Sequence, residues 1–147
     1  MNRVTFYDHY ADKFALLECV VGSRFQELLT ERGVKFDGTC SSALKAIVRG
    51  VCDYLSGTFG NDADRQRQMG PHLESAVIAV IRRMILEGLQ RHPGQTPITP
   101  QILATTLSWA IYGGAQEWAR TSNRSSPEEG AATIMMLVAP ILDLTRH

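Results

Sequence analysis

A surplus of charge is missing from this sequence: 15 basic residues face 15 acidic ones over 147 positions, for a net charge of zero. That excludes a bulk attraction to nucleic acid, so any DNA contact has to come from a local site. Cysteine is scarce and odd in number. Cys19, Cys40 and Cys52 form no CxxC pair and no Cys/His spacing, and they read as reduced thiols of a cytoplasmic protein rather than a disulfide framework. No two histidines stand four apart, so no metal site is expected. A glycine-rich phosphate loop, a nucleophile elbow and an HExxH motif are all lacking, and the chain is expected to be neither an enzyme nor a cofactor carrier. No uninterrupted apolar region follows the start, which excludes a signal peptide. The most apolar stretch, Ala131 to Leu144, is too short to span a bilayer and contains Pro140, so no membrane partner is expected.

An alternating strand pattern is also missing; Pro and Gly instead punctuate a series of helical patterns. The apolar fraction of 44% suffices for a core, and the length suits one domain or a domain plus a fragment. Asp12 can cap a helix over about 13–31, which Gly33 ends. A second helix spans about 42–59. The polar segment 60–70 reads as a loop or a short helix, and Pro71 suits the first position of a helix running to Arg91. Thr99-Pro100 opens a helix that continues to about Arg120, and Ser126-Pro127-Glu128-Glu129 opens the last one. Ile134 to Leu144 is apolar nearly all round and calls for burial on more than one side, most simply against a second copy.

The first eighteen residues, MNRVTFYDHYADKFALLE, carry the most specific pattern. A short polar lead precedes the aromatic pair Phe6-Tyr7; His9-Tyr10 follow, then a break at Ala11-Asp12 and a new amphipathic run from Lys13. Asn2, Thr5, Phe6, Tyr7, His9, Tyr10, Lys13, Leu16 and Leu17 occur in the order found in the recognition helix and following helix of TetR-family transcriptional repressors, which this segment resembles. The stretch Leu107 to Trp118 similarly resembles the penultimate helix of that family's ligand-binding domains. The resemblance implies an all-α, TetR-like bundle in which residues 1–11 are the remnant of a helix-turn-helix head and 12–147 form a ligand-binding and dimerisation domain. It further implies a homodimer built by the last two helices of each subunit as a four-helix bundle, operator DNA as partner of a full-length form, and release by a small-molecule effector. The two helices that brace the recognition helix in that family do not precede it here, so this chain is expected to bind DNA weakly or not at all. A stand-alone dimeric interaction module without DNA binding is the alternative.

Each candidate site has a plainer reading beside it. The resemblance points Asn2, Arg3, Val4 and Thr5 toward base edges, and Tyr7, His9 and Lys13 toward phosphates, contacts that set register rather than sequence. The plain alternative is a helical hairpin with an aromatic core. Cys52, Phe59, Met69, Met84, Trp109 and Tyr112 are the candidates for a ligand pocket, against simple core filling. Leu107, Ile111, Gly114, Trp118, Ile134, Leu137, Val138 and Ile141 are the candidates for the dimer interface. Gly113-Gly114 costs about 1 kcal/mol per glycine inside a helix, which close approach of another helix or room for a ligand would offset.

Overall fold

A computed structural model describes residues 3–33, 41–59, 63–91, 93, 94 and 96–144. The protein is all-α: the described residues form helices α1 (Arg3–Glu31), α2 (Ser41–Phe59), α3 (Ala63–Arg91), α4 (Pro100–Arg120) and α5 (Pro127–Asp143), with no strand among them. None of the helices is long and apolar enough to cross a membrane among the described residues.

α1 departs from the expected break at Ala11-Asp12. It runs through that point as one helix of 29 residues, about 43 Å long. No glycine or proline interrupts Arg3 to Val21, and a continuous helix bonds the backbone groups that a break would leave open. Its end is the expected one. Gly33 takes φ +66°, and its N–H donates to the Thr30 carbonyl at 2.9 Å.

α3 also starts earlier than the pattern predicted. Residues 63–70 are helical, so Pro71 lies inside α3 rather than at its first position. Proline removes one backbone bond there and disfavours helical dihedrals at the residue before it, costs the helix absorbs. The two remaining starts agree with their cap signals. Thr99 Oγ1 accepts from the Ile102 N–H at 3.4 Å, and Ser126 Oγ accepts from the Glu129 N–H at 3.2 Å. Glu128 and Glu129 in the first turn of α5 suit the positive end of its dipole.

Packing follows the apolar spacing. Val21, Phe25 and Leu29 are buried on α1; Leu44, Ile47, Val48, Val51 and Leu55 on α2; Val77, Ile81 and Ile85 on α3. α2 touches all four other helices, most heavily α5 and α4, while α3 packs on α1 and α4. Among the described residues α1 touches only α2 and α3, and α5 touches only α2 and α4.

Glycines mark the closest helix approaches. A Cβ at Gly50 would stand 2.6 Å from Cδ2 of the buried Leu29, so α1 and α2 meet there without room for a methyl group. A Cβ at Gly114 would stand 3.1 Å from Ile134, and one at Gly130 2.7 Å from the Trp118 indole nitrogen. These two pairs also set direction: as numbering rises along α4 it falls along α5, so the helices are antiparallel.

Candidate functional site

The interior face of α4 concentrates the polar groups of an otherwise apolar core. Ser108 is its one buried polar residue type among the described residues, and Tyr112, one turn on, is 1% exposed. Ser108 Oγ donates to the Ala104 carbonyl at 2.6 Å, a bond within its own helix. The Tyr112 hydroxyl has no hydrogen-bond partner among the described residues. A buried polar group left so costs about 1–3 kcal/mol. Burial, and then the Glu74 carboxylate, push the Tyr112 phenol above its ordinary range, with Arg120 opposing, so it stays protonated. Cys52 is fully buried on α2. Burial, and then Asp53, push its thiol up to about 11, with Arg49 opposing.

The other expected pocket residues do not all join these. Met84 packs half-buried against the core. Phe59 and Met69 fall in α2 and α3, but their side chains lie outside the described residues. Trp109 does not turn inward; it is 53% exposed, on the flank of α4 beside the face that carries Ser108 and Tyr112.

The expected DNA contacts are beyond description. Asn2 lies outside the described residues. Arg3, Val4, Thr5, Tyr7, His9 and Lys13 share the first turns of α1, and their side chains lie outside the described residues too.

The expected interface residues divide by depth. Leu107, Ile111, Ile134 and Val138 are buried within a single chain, and Gly114, Trp118 and Ile141 are half-buried. Trp118 is engaged locally: its Nε1 donates to the Ser125 carbonyl at 3.1 Å, and the Arg124 guanidinium lies 5.4 Å from its ring. Leu137 is 71% exposed. Two residues the sequence reading did not single out are exposed with it, Met136 at 78% and Ile102 at 62%. Ile102, Trp109 and Gly113 make one stripe on α4, at steps of seven and four; Met136, Leu137, Pro140 and Leu144 make one on α5. The helical phase could have revealed them. They fall between the residues that make the core face.

Two surface concavities lie among the described residues. A groove of about 580 Å³ separates α1 from α3, between Glu18 and Gln26 on one wall and Ala79 and Arg83 on the other. Arg83 Nη2 bonds Gln26 Oε1 at 2.8 Å, and Arg82 Nε bonds Thr105 Oγ1 at 2.8 Å, so both arginines tie helices together. A pocket of about 200 Å³ lies under the α3–α4 connection, between Leu89 and Leu103. No group of His, Cys, Asp or Glu among the described residues could hold a metal ion.

Comparison of the chain with protein-family models, with curated proteins and with solved structures gives no match.

Proposed function

We propose that this chain is the sensing and dimerising body of a TetR-type transcriptional repressor, and that two copies pair through α4 and α5. The observation that carries the reading is the pair of exposed apolar stripes on those antiparallel helices. Large exposed apolar side chains gathered on two adjacent helices are the kind of surface that marks an interaction site. Gly113 supports a helix as the occupant. A Cβ there would meet nothing within 4 Å in the chain, so nothing internal offsets its cost of about 1 kcal/mol in a helix. A second α4 laid across it would use the missing side chain. The buried Leu107, Ile111, Ile134 and Val138 then act beneath the interface, as the packed layer holding the stripes in place.

In this reading a small-molecule effector shifts a population. It must prefer the conformation in which the two reading helices no longer match successive major grooves, about 34–36 Å apart. A full switch needs a differential affinity of about 5 kcal/mol. α1 is the connecting element, since its first turns carry the DNA-reading pattern and its second half packs on α3.

The uninterrupted α1 favours a second reading, a dimeric interaction module without DNA binding. It shares the α4–α5 pairing and omits the head. Sedimentation velocity combined with a gel shift against the DNA flanking the chain's own gene separates the two. A dimer that gives no specific shift fits both; a specific shift regained on adding two bracing helices selects the repressor. A monomer at micromolar concentration removes both, and tight specific binding by the chain itself selects the repressor.

A further inference from the structure

The Tyr112 hydroxyl is enclosed in the core without a hydrogen bond among the described residues to justify it. Its ring is buried where α4 meets α2 and α3, yet its O–H finds no partner among the described residues. Ser108, one turn earlier on the same face, spends its proton on the Ala104 carbonyl but keeps an oxygen that can accept. A core of this kind is better filled by Phe and Ala unless the two oxygens meet something polar that enters it.

We propose that this inner face of α4 contacts the effector, and that the effector is an uncharged, mainly hydrocarbon molecule bearing one oxygen that accepts a hydrogen bond from Tyr112. The proposal rests on the sensing role given above. α2 and α3, which both pack on α4, contribute Val51, Leu55, Val77 and Ile81 to the same core, all buried and apolar, which match hydrocarbon. The ionised groups felt at Tyr112 are Glu74 and Arg120, one of each sign, beside the half-buried phenol of Tyr54; Glu74 is half-buried and Arg120 exposed. Neither is seated in the core, so an ionic ligand would lose its hydration there without a counter-charge. The phenol keeps its proton and is therefore a donor, which selects a carbonyl, ether or hydroxyl oxygen.

The test uses 2-octanone and octane as probes, titrated into the full chain and its Tyr112→Phe variant, with intrinsic tryptophan fluorescence as readout. The ketone is expected to bind the variant about five- to tenfold more weakly than the wild type, and octane to bind both alike. The variant alone is expected to melt no lower than the wild type. A lower melting temperature would show that the protein itself satisfies the hydroxyl and would overturn the proposal. So would failure of both compounds to bind, or a ketone affinity that ignores the substitution. Sedimentation of the same samples keeps the two questions apart: a dimer without the ketone contrast sinks only the effector contact, and a monomer with it sinks only the dimer.

Discussion

Gly50 shows how a single missing side chain sets the distance between two helices. A methyl group there would overlap Leu29 Cδ2, and Leu29, enclosed in the core, would have to shift against its neighbours. Gly50→Ala gains helix propensity but overpacks the contact, and the net expectation is a loss of about 1–3 kcal/mol in urea unfolding. Cys52 gives a prediction in pH. Its folded thiol holds its proton up to about 11, against an ordinary value of 9.0. Between those values the unfolded chain has released the proton and the folded chain has not, so stability is intact below pH 9 and falls as pH rises toward 11. Cys52→Ala is expected to flatten that part of the stability curve. At pH 8 a thiol reagent should modify exposed Cys19 readily and Cys52 only on unfolding. Residue chemistry of this sort was partly legible in the sequence: Gly113-Gly114 advertised a close approach, and Gly114 makes one against Ile134. Gly50 carried no signal, because its neighbour across the gap stands 21 positions away in the chain.

At the scale of the element, short-range chemistry was easy to read. Thr99-Pro100 and Ser126-Pro127 mark their helix starts because a hydroxyl acceptor, a prolyl φ and the first free N–H all lie within four residues. Ser126→Ala is expected to cost about 1 kcal/mol in thermal unfolding, read as a lower melting temperature. Breaks were harder. Asp12 can cap a helix, yet α1 passes straight through it, since a cap residue stops a helix only when the chain has somewhere else to go. Pro71 signals a helix start, yet it sits in α3, where the residues before it are already helical. Polar ties added by the fold were invisible in the sequence. Asp53 accepts from Arg32 at the end of α1 and from Arg49 at 3.3 Å, while Arg49 reaches Glu128 at 4.0 Å, so one surface cluster links α1, α2 and α5. Exposed pairs of this kind contribute little, of order 0–1 kcal/mol each.

The whole molecule turns on its last two helices. In α5 the run Ile134 to Leu144 is apolar nearly all round, which was plain in the sequence and called for burial on more than one side. The fold covers one side with α2 and leaves a stripe of Met136, Leu137, Pro140 and Leu144 in solvent. Which residues fall on which side could not be read from composition, because both sides are equally apolar; only the packing on α2 separates Val138 from Leu137. That separation makes the dimer testable without damage to the core. The decisive measurement is sedimentation equilibrium of the wild type and of Leu137→Glu at micromolar concentration, with circular dichroism confirming that both are folded. The wild type is expected to be a dimer, and the variant a folded monomer, since a glutamate at an exposed position disturbs nothing until a second copy tries to cover it. A wild-type monomer, or a variant that remains a full dimer, contradicts the pairing of α4 and α5.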